Sequence, residues 1–341
     1  MKRVFSLFLV VLMVLTLAFC GQADAAAPQK NIYCIIKGLG NSYWAVLQEG
    51  ATQAGKDLGC NVIIQGIPNE IDIEIQTGML QNAISARADG IVLAVADSKA
   101  QVNAVNDAFA SGIPLVVVDT KPATDNYSVS WMVYNYATGE IAAAELMKKM
   151  GDKLAKTDPG EVAIQIGSTG SATIAERMEG FKDYWAKNAP PAWKLLLGDI
   201  KVNDGKIDLA VQFGQDFITA YPNLTAFFSP NNGSTVGFAT ALRELKETTG
   251  RTDITMVGFD FSKEMQQIIR DPDINVSTML QEQYLMGYNG VRDALTLANG
   301  GTVAQKDNFT SLIAVDITNI DSDAVKTAAG PAMLTPDQLK Q

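Results

Sequence analysis

The stretch NIYCIIKGLGNSYWAVLQEG, residues 31–50, sets the pattern for the rest of the chain. It begins with an apolar run at residues 32–36, which is rich in β-branched side chains and too short for a helix, so it predicts a buried β-strand. A polar loop with two glycines follows, and from Ser42 onward apolar residues recur at helical spacing, with Ser42 as the predicted N-cap. The order strand, loop, helix is typical of an open α/β sheet, in which such loops lie at the carboxyl ends of the strands, where ligands bind.

The loop after the first strand carries the side chains that a small-molecule site requires. Lys37 contributes a cation, Asn41 an amide, and Tyr43 and Trp44 two adjacent aromatic rings. This set suits a flat ligand that also needs hydrogen bonds. Trp44 has a second interpretation, because an aromatic ring at this position can also pack its helix against the sheet. Both interpretations of Trp44 stay open at this point.

Residues 1–27 have the features of a cleavable secretory signal peptide. Two basic residues precede an apolar segment at 4–19, and small residues at 23–27 offer a cleavage site. The mature protein is therefore expected in the periplasm. Cys20 follows a segment similar to a bacterial lipoprotein signal, except that Phe19 stands where a small residue is expected, so a lipid-anchored form is the less favoured alternative.

Composition and charge exclude several classes of function. The 341 residues carry a formal net charge of −10, so nucleic acid and anionic membrane surfaces are not expected as partners. The chain has no histidine, which excludes Ser/His/Asp and Cys/His nucleophiles and a histidine zinc site. We expect no catalytic residues, no cofactor and no metal site. An extracytoplasmic enzyme would have only generic carboxylates available, such as Asp119 and Asp260.

Two cysteines, Cys34 and Cys60, follow the predicted signal peptide. They fall on or next to the first two predicted strands, which could be neighbours in one sheet. A disulfide can form in an oxidising compartment, but two thiols in apolar strands are as often simply buried, so the pairing stays open.

Short apolar runs alternate with amphipathic segments along the mature chain. The later predicted strands lie at 61–65, 90–94, 114–119 and 127–133, and then at 160–166, 193–197, 224–228 and 254–259. This alternation is typical of doubly wound parallel sheets, whose strands are buried on both faces. Two successive units of similar size without a Pro/Ser-rich linker predict two Rossmann-like lobes, each a parallel sheet flanked by helices, joined by a hinge.

Five segments at predicted strand ends carry a more specific pattern. They are NSYWAVLQEGATQAGKDLG at 41–59, ADGIVLAVAD at 88–97, GIPLVVVDT at 112–120, GSTGSATIAERMEGF at 167–181 and MVGFDFS at 256–262. In this order they resemble the type I periplasmic binding proteins, nearest the ribose-binding group of ABC-transporter receptors. The resemblance implies a substrate-binding protein, not an enzyme, that closes its two lobes over a small polar ligand, most often a sugar or polyol. Its implied partners are an ABC transporter permease and a chemoreceptor, and a monomer is expected.

The resemblance also implies the domain organisation. It divides the chain into a signal peptide (1–27), an N-terminal lobe (28–132 plus 282–311) and a C-terminal lobe (133–281 plus 312–341). The fold of this family has a hinge of three crossings, which fall near residues 132–134, 280–282 and 311–313.

Carried over position by position, the resemblance implies ligand contacts from both lobes. These contacts are Asn41, Tyr43, Trp44 and Asp119 in the first lobe and Asn231, Asp260 and Gln281 in the second. Such a set agrees with the chemistry of a sugar, which offers apolar C–H faces to rings and hydroxyls to carboxylates and amides.

The sequence also departs from the family pattern. Sugar binders of this group commonly have an arginine after the strand-end aspartate, where this chain has Thr120, and a second family arginine falls on Ala175. Arg177 is interpreted as structural. Lys37 adds a cation before the first loop, so Lys37 and Thr120 complete the predicted ligand-binding set. Lysine and threonine cannot reproduce bidentate arginine contacts, so the sequence does not identify the sugar. The alternative ligands are a furanosyl quorum signal, a nucleoside and a small anion. The alternative role of the protein is that of a chemoreceptor-coupled sensor.

Overall fold

The computed structural model of the protein describes residues 29–335 and 337–340. The predicted signal peptide, its cleavage site and Cys20 lie outside the described residues. The segment Asn31–Gln341 forms one compact unit. In the described part of this unit, no helix combines the length and the apolar character needed to cross a membrane.

The first of two sheets takes its strands from the early part of the chain and from one late segment. They are β1 (Asn31–Ile36), β2 (Asn61–Gly66), β3 (Gly90–Leu93), β4 (Leu115–Val118), β5 (Val129–Met132) and β12 (Asp307–Phe309), in the spatial order β12-β5-β4-β3-β1-β2. All neighbouring pairs in this sheet are parallel. The accompanying helices are α1 (Ser42–Leu58), α2 (Ile73–Ser85), α3 (Val102–Ala110) and α9 (Gln283–Ala298).

The second sheet contains the strands of the middle of the chain and one further late segment. They are β6 (Gly160–Ile166), β7 (Trp193–Leu195), β8 (Lys201–Val202), β9 (Leu224–Phe228), β10 (Thr255–Phe259), β11 (Val276–Gln281) and β13 (Leu312–Val315), in the order β13-β11-β10-β9-β6-β7, with β8 also paired to β6. Its helices are α4 (Asn135–Gly151), α5 (Ala172–Asn188), α6 (Ile207–Ala220), α7 (Asn232–Thr249), α8 (Lys263–Ile269) and α10 (Asp323–Ala329).

This architecture confirms the predicted pair of α/β lobes, and it adds strands β8, β11, β12 and β13, which were not predicted. Strand β13 runs antiparallel to β11 at the edge of the second sheet. A parallel pair of strands needs a long crossover, usually through a helix. Because β13 arrives directly from β12 of the other sheet, no crossover fixes its direction, and the alternation of apolar runs does not reveal it.

The described chain passes between the two sheets at three places. These are residues 133–134 between β5 and α4, Glu282 between β11 and α9, and residues 310–311 between β12 and β13. The crossings contact one another. The ring of Tyr134 stacks on that of Phe309 with 3.6 Å between centroids, and Ser311 donates from its backbone N and its hydroxyl to Glu282 Oε2.

Each sheet is covered on both faces, which explains the continuous apolar runs. Strands β3 and β4 are buried along their full length, as expected for a parallel sheet with helices on both sides. Cys34 lies in β1 opposite Ile64 of β2, and burial raises the pKa of its thiol to about 12. Cys60 precedes β2, and both cysteines are free thiols. They are therefore not paired in the sheet.

Candidate functional site

The carboxyl ends of strands from both sheets face a common cleft. It contains an inner cavity of about 30 Å³, to which both lobes contribute. The first lobe contributes Lys37, Asn41, Tyr43, Trp44, Glu70 and Asp119, and the second Ser171, Thr173, Ile174, Arg177, Asn231, Asn232 and Asp260. A sugar-sized ligand can enter this small cavity only when the lobes move apart.

Asn41 fixes the loop between β1 and α1. Its backbone is extended and its Oδ1 accepts a hydrogen bond from Tyr43 N at 2.8 Å, so Asn41 is the N-cap of α1. The prediction of Ser42 as the cap is wrong by one residue, and the Ser42 hydroxyl instead donates to Glu264 of the other lobe at 3.1 Å. The cap places Tyr43 and Trp44 together at the cleft, with their rings edge to face at 4.9 Å.

Trp44 belongs both to the core and to the cavity wall. Its side chain is buried in the apolar cluster of α1 and β1, and its Nε1 donates to Glu70 Oε1 at 3.1 Å. The same ring lines the inner cavity. The two interpretations of Trp44 are therefore compatible, and its stacking on a ligand stays a prediction.

Asp119 is the centre of a buried network in the first lobe. Its Oδ1 accepts from the Tyr43 hydroxyl and its Oδ2 from the Thr120 hydroxyl, each at 2.6 Å. Lys37 Nζ lies 3.5 Å from Oδ2 and donates to Thr120 Oγ1. Burial alone would raise the pKa of Asp119, but Lys37, the two hydroxyl hydrogen bonds and Arg177 outweigh it and lower this pKa. The carboxylate is thus ionised and largely satisfied by protein donors.

Asp119 and Asp260 occupy corresponding positions in the two lobes. Each follows the last residue of its strand, β4 or β10, and each has a left-handed backbone, with φ of 62° and 77°. This conformation is uncommon for a residue with a side chain and costs about 1–3 kcal/mol. Strain of this kind concentrates at functional sites, so the matching pair of aspartates indicates placement for the cleft.

Asp260 has a different environment from Asp119. Its Oδ1 accepts from Gln281 Nε2 at 2.6 Å, and no ion pair joins it to a cation of the described residues. Burial raises the pKa of Asp260 to about 7; the charges of Asp119 and Glu70 add to the increase, while Arg177 and the Gln281 hydrogen bond oppose it. Near neutral pH this carboxyl group therefore exists in both protonation states.

Arg177 lines the inner cavity and connects several segments of the chain around it. Its guanidinium lies 4.2 Å from the centre of the Phe259 ring. It donates to Asn135 Oδ1 at 3.0 Å, to the Pro230 carbonyl at 2.8 Å and to Gln281 Oε1 at 2.9 Å. The acceptors are all neutral, and they include residues next to two of the three crossings. Arg177 therefore positions the glutamine that holds the second strand-end aspartate.

Hydrogen bonds connect the two lobes directly. The Thr173 hydroxyl donates to the backbone carbonyl of Asp119 at 3.0 Å. Ser98 N donates to the Gly170 carbonyl at 3.0 Å, and Ser98 Oγ accepts from Ala172 N at 3.1 Å. The cleft is thus a site formed by two lobes in contact.

Comparison with known sequences agrees with this geometry. A family profile described as periplasmic binding protein domain matches residues 32–302. This chain belongs to the periplasmic binding protein family. Curated relatives of this periplasmic binding protein include the ribose import binding protein RbsB of Escherichia coli K12, which is 27% identical over 82% of this chain and 89% of the relative. The D-ribose/D-allose-binding protein of Pseudomonas aeruginosa is 26% identical over 89% of this chain and 94% of the relative.

Solved structures show the same fold. A carbohydrate transporter solute binding protein from Agrobacterium radiobacter, in complex with D-arabinose, has a TM-score of 0.82 and 26% identity, covering 89% of this chain and 99% of that one. An ABC transporter solute binding protein from Agrobacterium vitis with bound D-fucose has a TM-score of 0.79 and 27% identity, covering 87% and 98%. These neighbours confirm the predicted fold class of the periplasmic binding protein.

The structure brings most of the predicted contact residues to the inner cavity. Those that line it are Lys37, Asn41, Tyr43, Trp44, Asp119, Asn231 and Asp260. Thr120 and Gln281 do not line it, because each lies behind a strand-end aspartate and donates a hydrogen bond to its carboxylate. Ligand contact by any of these residues stays a prediction.

Several lining residues were not predicted from the sequence. They are Glu70, Ser171, Thr173, Ile174, Arg177 and Asn232. Glu70 lies in the loop after β2, four residues beyond its last residue, Gly66, so it does not follow its strand directly as Asp119 follows β4. Asn232 carries a different signal, since both polar atoms of its buried amide lack a partner, as does the buried hydroxyl of Ser171. Such groups are rare in folded proteins and are explained by a ligand or an ordered water.

Among the described residues, no group of three or more cysteine, aspartate, glutamate or histidine side chains is arranged to bind a metal ion.

Proposed function

We propose that this protein is the solute-binding protein of an ABC importer and captures a sugar or polyol between its lobes. The observation that carries the proposal is the inner cavity, where carboxylates, amides and hydroxyls of both lobes surround two aromatic rings. Rings contact the apolar C–H faces of a sugar, and the polar groups bind its hydroxyls. The relatives named for ribose and allose, and the structures solved with arabinose and fucose, support the same ligand class.

The free hydrogen-bonding capacity of the cavity suits hydroxyl groups. Asp260 has a single protein donor, and the Asn232 amide and Ser171 hydroxyl have no partner among the described residues. A hydroxyl donates one hydrogen bond and accepts others, so it can match a carboxylate, an amide and a second hydroxyl. An anionic ligand is less well matched, because Lys37 is paired with Asp119 and the carboxyl groups of Glu70, Asp119 and Asp260 line the same cavity.

We propose lobes of residues 28–132 plus 282–311 and 133–281 plus 312–341, which rotate about the three crossings. The division of the strands between the two sheets supports these limits, since β12 joins the first sheet and β13 the second. Rotation about a few connecting residues is the usual motion of two lobes that close around a ligand.

We also propose the periplasm as the location and an ABC transporter permease as the partner. The chain's family consists of periplasmic binding proteins, and relatives are named import binding proteins. The same family membership supports a binding role without catalysis. The monomeric state and contact with a chemoreceptor remain predictions.

Thermal-shift assays and calorimetry on the mature protein test this proposal. The panel contains D-ribose, D-allose, D-arabinose, D-fucose, xylitol, adenosine and small organic acids. At least one neutral sugar or polyol is expected to bind, and at a concentration of ~100 times its Kd it should stabilise the fold by about 2.7 kcal/mol. Binding of an acid or of adenosine alone, or no binding at all, would contradict the proposed ligand class.

A further inference from the structure

A second, larger cavity adjoins the inner one in the cleft. Its volume is about 660 Å³, and both lobes form its walls. The first lobe contributes residues in the segments 38–41 and 68–70, and the second contributes residues of the segment 205–212 at the start of α6. Asn41 and Glu70 line both cavities. The larger one, here called the outer cavity, is therefore the direct continuation of the inner cavity.

Glu70 lies where the two cavities meet. Its Oε1 accepts the Trp44 hydrogen bond, and among the described residues its carboxylate has no ion pair and no other hydrogen bond. Burial raises the pKa of Glu70, because Lys37 and the Trp44 hydrogen bond only partly offset the loss of water. One carboxylate oxygen thus keeps free capacity to accept a hydrogen bond from a ligand that reaches this point.

The outer cavity persists although the lobes are in contact elsewhere. Cross-lobe hydrogen bonds from Thr173 and Ser98 hold the lobes together beside the inner cavity, and a third joins Ser42 to Glu264. Glycines of both lobes border the outer cavity, and a Cβ atom added to Gly40 would meet open space. The space is therefore a feature of the closed arrangement and does not require the lobes to be apart.

The walls of the outer cavity have the mixed character that a sugar ring requires. Amides come from Asn69 and Gln212, and apolar side chains from Ile207 and Leu209. Ligand pockets of about 300–1,000 Å³ accommodate drug-sized molecules, so this volume is sufficient for a second ring.

We propose that the outer cavity is a second ligand subsite, which holds a substituent attached to the sugar of the inner cavity, such as another sugar ring or an aryl group. This inference rests on the proposed sugar binding. At the junction of the two subsites, the Glu70 carboxylate accepts a hydrogen bond from a hydroxyl group of the ligand. The site then accepts a disaccharide or a glycoside as well as a single free sugar, and a free sugar leaves the outer cavity empty.

Calorimetry with matched ligands tests the subsite. The probes are D-ribose, D-arabinose and D-fucose, their α- and β-methyl and 4-nitrophenyl glycosides, and disaccharides that contain them. At least one extended ligand is expected to bind as tightly as its parent sugar, or within tenfold of it. If a free sugar binds and every extended form of it is weaker by more than tenfold, the subsite is overturned and the proposed function stands. If none of the sugars or glycosides binds, both proposals fail.

A variant that fills the outer cavity provides a second measurement. Gln212 is exposed on α6 and lines the cavity, so Gln212→Trp should weaken the extended ligand at least tenfold and change the free sugar less than threefold. Thr219→Trp adds the same ring to an exposed position of α6 that does not line the cavity, and it should change neither affinity. Asn69→Trp repeats the test from the opposite wall, with melting temperatures as the check on folding. Equal effects on both ligands, or none, would overturn the subsite.

Discussion

The two strand-end aspartates have opposite electrostatic settings at the same place in their lobes. Asp119 is surrounded by Lys37 and hydroxyl donors, so its pKa is lowered despite burial. Asp260 has one amide donor, and burial raises its pKa to about 7. Asp119 therefore adds stability that is present at neutral pH and lost as the pH falls through its pKa. Asp260 has the opposite effect, because its raised pKa makes the stability of the protein fall as the pH rises.

Replacing Asp260 by asparagine should stabilise the protein at alkaline pH. An unfolded aspartate ionises near pH 3.9, whereas native Asp260 retains its proton up to about pH 7. The native state then binds more protons over this interval, so stability falls as the pH rises through it. Asp260→Asn cannot ionise and keeps a hydrogen-bonding group next to Gln281. Calorimetric melting at pH 5, 6, 7 and 8 should show its advantage over the unmodified protein growing with pH.

The matched control for this prediction is Asp107→Asn, at an exposed position of α3. It should shift the melting temperature little, and equally at each pH. An advantage of Asp260→Asn that does not change between pH 5 and pH 8 would show that burial does not raise the pKa of Asp260 as described.

The buried pair of Lys37 and Asp119 predicts a strong coupling. Removing one partner of a buried ion pair leaves an uncompensated charge and costs ~3–5 kcal/mol, whereas replacing both is often nearly neutral. Lys37→Met and Asp119→Asn should each destabilise the protein, and the double variant should recover most of the loss in denaturant titrations. Additive losses of stability would indicate that the two residues are not energetically coupled.

The same two variants also test the charge of the ligand. If the affinity for the ligand falls more for Lys37→Met than for Asp119→Asn, and falls steeply with salt, the ligand is anionic.

At the scale of elements, helix α5 obtains its N-terminal cap from the other lobe. Its own N-cap residue, Ser171, makes no side-chain cap hydrogen bond, while the Ser98 hydroxyl accepts from Ala172 N. Gly170 permits this approach, since a Cβ there would clash with the carboxylate of Asp97. The cap exists only while the lobes are in contact, so it stabilises the closed arrangement selectively.

Loss of this cap should weaken ligand binding without any change at the ligand. An N-cap is worth ~0.5–2 kcal/mol, which corresponds to about a 2- to 30-fold change in an equilibrium. Ser98→Ala should therefore raise the Kd of a bound sugar by a factor in this range, as measured by calorimetry. Ser111→Ala removes a hydroxyl that bonds within the first lobe and should leave the Kd unchanged. A Ser98→Ala protein with unchanged affinity would show that the cross-lobe cap does not contribute to closure.

At the scale of the whole molecule, the size of the inner cavity requires movement. A sugar can enter the inner cavity, of about 30 Å³ in this closed arrangement, only after the cross-lobe hydrogen bonds open, and these bonds form again when the lobes close. We propose that the lobes rotate about the three crossings, which are joined by the Tyr134–Phe309 stack and the Glu282–Ser311 hydrogen bonds. Small-angle scattering should show a smaller radius of gyration with a saturating sugar than without it. A non-binding sugar should have no effect, and an unchanged radius under saturation would contradict hinge closure.

The sequence by itself predicted strands β1–β7, β9 and β10, the two α/β lobes and polar side chains at several strand ends, but not strands β8, β11, β12 and β13. Lys37 was found from its place after the first predicted strand, whereas Asp119 and Asp260 were proposed as ligand contacts from the resemblance to type I periplasmic binding proteins. All three follow strands, and parallel strands bring their carboxyl ends to one edge of a sheet. Glu70 lies four residues beyond the end of β2, so it is not among the residues that directly follow a strand.

Only the tertiary structure decided which groups are already bonded and which are free for a ligand. The partners of the Asp119 carboxylate include Tyr43 and Lys37, which are distant from it in sequence. The cap of α5 by Ser98 spans 74 residues of sequence and two lobes. Local periodicity reports which face of an element is buried, but hydrogen-bond partners in the cleft depend on how the lobes meet. That contact is made by residues far apart in the chain, and no local pattern encodes it.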